Sequence, residues 1–409
     1  MTLVDLIRGS NDDRSCAEEL GLATMNDSEF INLTARALAH FNNGTTDQAA
    51  AVMEIPLSAY TDENRFSHER EQVFLASPIA IGLSIEIPMP GSYVAREVMG
   101  LPLLLTRDAD GDVHCFINIC KHRGAQLCAH GRGNRTRFSC PYHAWTYDNR
   151  GELISIYAQE TFGDVDRATR GLSEFPCAER CGVVFAVLQT GAQLDIDSWL
   201  GDMRPRLESL ALHNWRIYLD RWIDGAGWKA TMDGYLEVYH HNSVHGKTVG
   251  KHTVGNLLVH DTFGPHQRMV FARPDIKELN DRARSEWEPS KYTRYIHSIF
   301  PNLSISGILG DLCLVGFIYP GNRPDQTLTH QFVLCHRDAD PASIDQQAEQ
   351  FSQMTLQAVR DEDYALVRTV QAGMSSGANT SFLIGRNEPA VQHYHKMVEQ
   401  LSQTGSHPA

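Results

Sequence analysis

Two short segments of the chain alternate cysteine with histidine. Cys120 and His122 form a C-x-H segment. After seventeen intervening residues, Cys140 and His143 form a C-x-x-H segment. Two thiolates and two imidazoles are the ligand set of a [2Fe–2S] cluster with cysteines on one iron and histidines on the other. Structural zinc is the alternative, although zinc more often takes two like ligands from one segment. Neutral imidazoles raise the reduction potential, so such a cluster accepts electrons readily.

A second group of candidate ligands lies in residues 227–242, whose apolar spacing predicts a helix. Asp233, Glu237 and His240 stand at i, i+4 and i+7 and would share one helical face. His245 follows five residues later and rejoins that face only if the helix unwinds near its end. The spacing suits either a metal site or a pair of structural histidines.

A third ligand is expected among the carboxylates of a predicted helix over residues 343–372. Asp363 falls within an apolar stripe, whereas Asp361 falls on a polar face. The stripe comprises Leu356, Val359, Leu366, Val367 and Val370. A buried carboxylate is costly without a cation, so Asp363 needs an arginine, a lysine or a metal. With His240 and His245 it would complete the two-histidine, one-carboxylate set of non-haem Fe(II) oxygenases, which leaves coordination positions open.

Composition narrows the class of protein. The chain has 409 residues, 42% of them hydrophobic and 21% charged, which is typical of a globular protein. A net charge of −14 argues against nucleic acid or an anionic membrane as partner. The cysteines outside the two segments have no regular spacing and are expected to be free thiols in a reducing compartment. No signal peptide or membrane span is predicted, so we expect a cytoplasmic protein.

The distribution of helical and strand patterns along the sequence predicts an α+β protein with four parts. Residues 1–54 read as a mostly helical extension, and 55–190 as a small all-β domain that carries the cluster on two loops. Residues 191–403 mix long helices with a block of antiparallel strands, and 404–409 form a tail. The strands of the block are predicted at 257–271, 303–318 and 327–335.

The flanks of both loops resemble the two loops of Rieske proteins. With both candidate sites, the chain from about Ile55 to Gly373 resembles the α subunit of Rieske non-haem iron oxygenases. Residues 228–245 resemble the family segment N-W-K…D-x-x-H-x-x-x-x-H, and residues 362–371 resemble its E-D…Q helix. The resemblance implies that His240, His245 and Asp363 bind a mononuclear Fe(II).

Two positions depart from the family pattern. Gly227 stands where the family usually has Asn, and Glu237 stands where ring dioxygenases usually have Asp. A glutamate there is similar to the quaternary-amine branch of the family. We expect Glu237 to link the two metal sites by accepting a hydrogen bond from a ligand histidine. Asp233 is a further candidate for supporting the site.

The resemblance also implies a fold and an assembly. The expected fold is a Rieske β-domain joined to a helix-grip (START-like) domain with a curved antiparallel sheet. The expected assembly is a homotrimer, or a multiple of it, in which the cluster of one chain serves the iron of its neighbour. Electrons are expected from NAD(P)H through a separate flavin or iron–sulfur reductase, or a ferredoxin.

The expected activity is oxygenation of a small organic substrate with O₂, by mono- or dioxygenation. Apolar segments over 299–306 and 308–314 are expected to line part of the pocket, which favours an aromatic or other hydrophobic substrate and a role in aromatic catabolism. The alternative within the family is an N- or O-demethylase or quaternary-amine monooxygenase. The alternative from another class is a Rieske-type electron carrier, which would need only about the first 190 residues.

Overall fold

The computed structural model describes residues 27–307 and 310–404. Expectations for residues 1–26, for Ile308 and Leu309, and for the tail at 405–409 lie outside the described residues. The chain divides into two units. The small unit comprises residues 70–199, and the large unit comprises residues 1–69 together with 200–409.

Strands and helices alternate unevenly along the chain. The strands are β1 (Met53–Pro56), β2 (Ile79–Leu83), β3 (Ser92–Val98), β4 (Leu101–Arg107), β5 (Val113–Ile117), β6 (Gly131–Asn134), β7 (Arg137–Ser139), β8 (Thr146–Asp148), β9 (Leu153–Ser155), β10 (Glu174–Phe175), β11 (Cys177–Arg180), β12 (Val183–Ala186), β13 (Trp215–Gly225), β14 (Leu258–Phe263), β15 (His266–Ala272), β16 (Thr293–Ile299), β17 (Leu303–Ser306), β18 (Leu312–Pro320), β19 (Thr327–His336) and β20 (Ser381–Ile384). The α-helices are α1 (Asp27–Asn43), α2 (Ser58–Thr61), α3 (Glu63–Glu69), α4 (Gln159–Phe162), α5 (Ile196–Leu200), α6 (Met203–Glu208), α7 (Trp228–Tyr235), α8 (His241–Val244), α9 (Pro289–Tyr292), α10 (Pro341–Leu356), α11 (Tyr364–Met374) and α12 (Pro389–Thr404). Two π-helical segments, Arg70–Leu75 and Gln357–Asp363, follow α3 and α10.

The small unit is built from three antiparallel sheets. A five-stranded sheet has the order β10-β5-β4-β3-β6, and two three-stranded sheets have the orders β11-β12-β2 and β7-β8-β9. A turn at residues 108–111 joins β4 to β5 of the five-stranded sheet. Its core brings aromatic residues such as Phe116, Phe138 and Tyr147 together with the buried Cys120 and Cys140. The two candidate loops therefore emerge from a rigid apolar base.

The large unit is organised around a seven-stranded antiparallel sheet in the order β13-β19-β18-β17-β16-β15-β14. Helix α1 packs Phe30 and Leu33 onto Val259 and Val270 of β14 and β15. Helix α10 packs Ile344 beside β19. The predicted α+β class and the antiparallel strand block are confirmed. No helix among the described residues is long and apolar enough to cross a membrane.

The predicted domain boundary at residue 55 differs from the structural one. Residues 55–69 belong to the large unit, because β1 pairs with β20 in antiparallel register. In addition, the buried Lys229 ammonium lies 2.5 Å from the Glu69 carboxylate. A buried ion pair is costly to break, so this contact holds α3 against α7. The boundary at residue 55 was predicted from the change between helical and strand patterns along the sequence, and such a change does not reveal long-range pairings.

Both long helices predicted for the large unit are interrupted. The helix over 227–242 stops at Tyr235, with Leu236 as its C-cap, and the chain becomes helical again only at α8. The helix over 343–372 contains the π-helical segment Gln357–Asp363. Both interruptions fall at candidate ligands, which is where such local deviations commonly occur.

Candidate functional site

The two cysteine–histidine loops of the small unit close in the same way. Cys120 N–H donates to the carbonyl five residues on (2.8 Å), and its own carbonyl accepts from Gly124 N–H (3.0 Å). Cys140 repeats the pattern with Trp145 (2.7 Å) and Ala144 (2.9 Å). The fourth residue after each cysteine is left-handed, with φ of 76° at Gly124 and 55° at Ala144. This matched geometry presents both thiols from equivalent tight turns.

The loops bring the four predicted cluster ligands together. The rings of His122 and His143 lie 4.7 Å apart between centroids, and His122 stacks on Trp145 at 4.9 Å. Both thiols are buried, and burial raises the pKa of Cys120, with the neighbouring Cys140 adding to it. A buried thiolate pair therefore needs a bound cation.

The surroundings of the cysteine and histidine side chains also fit a metal cluster. The Nδ1 atom of His122 is buried and has no hydrogen-bond partner among the described residues. Such an orphaned nitrogen is expected where a metal completes its bonding. Tyr147 Oη lies 3.5 Å from Cys120 Sγ and accepts the Lys121 N–H at 3.0 Å, so it can donate to the sulfur. Arg123 reaches Nε2 of His143 at 2.6 Å.

In the large unit, three predicted ligands converge. His240 Nε2 and His245 Nε2 are 3.2 Å apart, and Asp363 Oδ1 lies 3.5 Å from the first and 3.0 Å from the second. Ligands bound at about 2.1 Å and at right angles to each other stand about 3 Å apart. The three atoms therefore have the spacing of one face of a metal's coordination sphere.

The outer nitrogens of both histidines contact carboxylates. His240 Nδ1 is in hydrogen-bond contact with Glu237 Oε1, and His245 Nδ1 lies 2.7 Å from Glu362 Oε2. With the proton on each Nδ1, both Nε2 atoms present lone pairs toward Asp363. Three acceptors that face one another require a cation between them. Burial lowers the pKa of His245, but Asp363 and Glu362 outweigh it and the net pKa is raised, which shows the same preference for positive charge.

Glu237 contacts His240, although the two residues do not lie on one helical face as predicted. Because α7 ends at Tyr235, Glu237 and His240 do not share a helix. Instead, Glu237 Oε2 accepts the backbone N–H groups of Tyr239 and His240, the latter at 3.1 Å. This turn aims Oε1 at the ring. The contact agrees with the expectation, although the helical reason for it is wrong.

Glu362 is a residue of the site that the sequence reasoning missed. Its Oε2 also accepts the Thr248 hydroxyl at 2.5 Å, and its Oε1 accepts Gln357 Nε2 at 3.2 Å. These contacts lower its pKa against the effect of burial, so it stays ionised beside His245. The sequence marks it only as the first residue of the E-D…Q segment, directly before Asp363.

The apolar-stripe reasoning for Asp363 holds only in part. Val359 is buried and Leu356 is partly buried, but Leu366 and Val370 are 47% and 37% exposed. The π-helical segment inserts an extra residue per turn, so residues before and after Asp363 do not continue one face. The exposed Asp361 pairs with Arg360 at 2.6 Å, as its polar face suggested.

Two other candidates occupy different positions. Asp233 accepts Tyr60 Oη at 2.7 Å and contacts His395 Nε2 at 2.8 Å, so it ties α2, α7 and α12 together. His241 could join His240 and His245 as a three-histidine set, since one ligand atom of each lies within 4.8 Å of the others. Burial lowers the pKa of His241 to about 3, and its Nδ1 contacts Thr253 Oγ1 at 3.2 Å. The shorter distances favour Asp363 as the third ligand.

Gly227 is explained by close packing. A Cβ atom at this position would lie 2.5 Å from the carbonyl oxygen of Pro324 and 2.7 Å from Gln371 Oε1. The backbone N–H of Gly227 donates to that same oxygen at 3.1 Å. Glycine instead of the family's Asn at this position therefore allows the start of α7 to pack against α11.

A cavity of about 270 Å³ opens beside the three ligands. His240, His245 and Asp363 belong to its wall. Of the predicted pocket strands, Ser304, Ser306 and Leu314 line it, whereas their strand neighbours Ile305 and Cys313 are buried in the core. This alternation is the ordinary period of a strand, and only one face of each predicted segment contributes to the cavity.

Comparison with known proteins identifies both units. The family model for the Rieske [2Fe-2S] domain matches residues 77–176, and that for the ring hydroxylating alpha subunit (catalytic domain) matches residues 212–404. The chain is 27% identical over 270 residues to the glycine betaine monooxygenase oxygenase subunit of Chromohalobacter salexigens (63% of this chain, 58% of the relative). It is 31% identical over 225 residues to the anthranilate 1,2-dioxygenase large subunit of Acinetobacter baylyi (52% and 48%).

Solved structures show the same fold. The quaternary ammonium Rieske monooxygenase CntA in complex with L-carnitine aligns with a TM-score of 0.74 at 21% identity, over 86% of this chain and 97% of that one. The alignments with the two relatives span about half the length of those proteins. The family matches show a Rieske [2Fe-2S] domain in the small unit and a ring hydroxylating alpha subunit catalytic domain in the large unit. The chain belongs to the Rieske oxygenase alpha-subunit family.

The first prediction concerns the small unit. Cys140→Ser should abolish the visible absorbance and the Rieske-type EPR signal of the reduced protein, because a serine hydroxyl does not replace the thiolate. Cys177→Ser is the matched control, since its thiol donates to the Val113 carbonyl at 3.2 Å and a hydroxyl can do the same. A colourless wild-type protein that holds one tightly bound zinc would contradict the assignment.

The second prediction concerns the large unit. Asp363→Ala should remove the mononuclear iron and leave the cluster spectrum intact, because the remaining histidines bind iron more weakly. The matched control is Asp361→Ala, whose carboxylate pairs with Arg360 at the surface. Metal analysis and visible spectra of both variants measure the outcome. Iron loss in the Asp361 variant, or in His241→Ala but not in Asp363→Ala, would show that the wrong ligand has been chosen.

Proposed function

We propose that this chain is the terminal oxygenase component of a multicomponent oxygenase that uses O₂ to oxygenate a small organic substrate. One observation carries the proposal: two histidine Nε2 atoms and Asp363 Oδ1 lie within 3.5 Å of one another in the wall of a cavity. A ligand set of this kind leaves part of the coordination sphere free for O₂. The cavity beside it offers space for a substrate.

The residues have separate tasks. Cys120, His122, Cys140 and His143 would hold the [2Fe–2S] cluster. His240, His245 and Asp363 would hold Fe(II). When bound, the cluster supplies single electrons and the iron supplies O₂ activation.

Carboxylates keep the iron-binding rings in place. Glu237 and Glu362 hold the protons on the Nδ1 atoms of His240 and His245, which fixes the tautomer and the orientation of each ring. The apolar part of the cavity wall limits the access of bulk water.

An electron carrier is the alternative from another class. A carrier has no need of a second ligand set or of a cavity. The large unit holds both, and its family model covers residues 212–404. The oxygenase is therefore favoured.

A demethylase or quaternary-amine monooxygenase is the second candidate within the family. Glu237 favours it, since this glutamate is similar to that branch, and a glycine betaine monooxygenase is among the relatives. Dioxygenation of an aromatic substrate, and with it a role in aromatic catabolism, is supported by the relation to an anthranilate dioxygenase subunit.

We also propose a separate reductase or ferredoxin as electron donor, and a cytoplasmic location. None of the eight cysteines in the described part of the chain forms a disulfide, which suits a reducing compartment. The working unit is proposed to be a homotrimer or a multiple of it, in which Glu237 links the iron site of one chain to the cluster of the next. His122 is the better partner for Glu237, because Nε2 of His143 is already engaged by Arg123.

The third prediction tests the activity itself. Purified protein, supplied with a reductase and O₂, should form oxygenated product from at least one member of a panel of aromatic acids, methoxyaromatics and quaternary amines. Product is identified by mass spectrometry with ¹⁸O₂, which separates oxygenation from mere consumption of O₂. Reversible reduction of the cluster without any product, and without mononuclear iron, would instead identify an electron carrier.

The fourth prediction tests the role of Glu237. Glu237→Ala should keep both metals and a reducible cluster yet lose turnover by at least about tenfold, because His240 loses the carboxylate that orients it and the link between the sites is removed. Rapid reduction and reoxidation of the cluster separate this effect from unfolding. The exposed Glu286→Ala is the control. Near-normal turnover of the Glu237 variant, or full activity as a monomer, would contradict the linking role.

A further inference from the structure

Two arginines line the cavity of the large unit. Arg273 follows β15 and is only 7% exposed, and Arg294 lies in β16 and is partly buried. The two strands are neighbours, with Phe271 opposite Arg294 in the register. Burial and the nearby Arg273 lower the pKa of Arg294 to about 10. Two neighbouring guanidinium groups thus belong to the lining of an otherwise largely apolar cavity.

The protein neutralises these two charges incompletely. Arg294 Nη1 donates to the backbone carbonyls of Ser290 and Thr293, the latter at 2.7 Å. Among the described residues, Arg294 has no carboxylate within 4.0 Å, and Arg273 has one long contact, to Asp275 at 3.4 Å. A guanidinium has five N–H donors in a planar fork, which matches a carboxylate. Several donors of this pair are therefore left for a ligand.

Charges around the cavity are arranged in two regions. The acidic residues of its described lining are Glu237 and Asp363, both at the candidate iron site. The remaining lining is neutral or basic and includes apolar side chains such as Phe271, Ile296 and Leu314. A ligand with a negative group beside Arg273 and Arg294 and an apolar body toward the histidines would complement both sets of charges. A positively charged group beside the two arginines would be repelled.

We propose that the cavity binds a substrate that carries a carboxylate, held by the guanidinium groups of Arg273 and Arg294, with its apolar part toward His240, His245 and Asp363. This inference rests on the proposed function, because it names the substrate class of the same site. It also gives the two buried arginines a role that packing alone does not explain. Charge-assisted, two-pronged hydrogen bonds to a carboxylate are among the strongest available to a protein.

The test is equilibrium dialysis of the anaerobic holoprotein with matched probes. The probes are benzoate, benzamide and phenyltrimethylammonium, and the longer pair phenylacetate and phenylacetamide. We expect a carboxylate to bind at least about tenfold more tightly than its amide or the cation. Arg273→Gln and Arg294→Gln should each weaken carboxylate binding about tenfold and leave amide binding unchanged. Unchanged amide binding also shows that the variants are folded.

The control variant is Arg282→Gln, whose arginine is 45% exposed and lies 3.6 Å from Glu278 outside the cavity lining. It should bind every probe like the wild type. Equal binding of acid and amide, tighter binding of the cation, no binding of either acid, or wild-type acid binding in both arginine variants would overturn the inference. Arginine-dependent acid binding without any oxygenated product would retain the subsite and refute the proposed function. Product from neutral or cationic compounds alone would do the reverse.

Discussion

The structure of the large unit depends on three acceptor atoms that face one another. His240 Nε2, His245 Nε2 and Asp363 Oδ1 lie between 3.0 and 3.5 Å apart, and the outer nitrogens of both rings contact carboxylates. Lone pairs at this spacing repel unless a cation lies between them. The surrounding scaffold must therefore hold three side chains from two distant segments of the chain against this repulsion whenever the metal is absent.

Local deviations from regular helix geometry position these three side chains. Helix α7 has Gly227 as its N-cap, where no Cβ would fit. The helix ends before Glu237, so that the following turn can present Glu237 to His240. The π-helical segment between α10 and α11 places Glu362 and Asp363 beside His245. The seven-stranded sheet contributes lining residues to the cavity, among them Arg294 of β16, and Arg273 directly follows β15.

Side-chain type and spacing predicted which side chains lie close together better than they predicted the local backbone. The cysteine and histidine segments stood out because few other arrangements suit those residues at that spacing. Asp363 was found through an apolar stripe that the π-helical segment in fact interrupts, and Glu237 through a helical face that does not exist. Glu237 nevertheless contacts His240, because residues three apart remain close in a turn as well as in a helix.

Long-range features were not accessible from the sequence in the same way. The pairing of β1 with β20 moves residues 55–69 into the large unit, and it joins segments more than 300 residues apart. Arg273 and Arg294 meet through strand register, which a periodic pattern in one strand does not determine. Glu362 was hidden because its neighbour Asp363 already satisfied the search for a buried carboxylate.

We propose that one chain holds both a [2Fe–2S] cluster and a separate iron ion. The ratio of iron to acid-labile sulfide in the fully metallated wild-type protein tests this most directly. We expect about three iron atoms for every two sulfides per chain, since a [2Fe–2S] cluster contributes two irons and the histidine–carboxylate site one. A ratio of two irons to two sulfides, with no further metal bound at His240, His245 and Asp363, would contradict it.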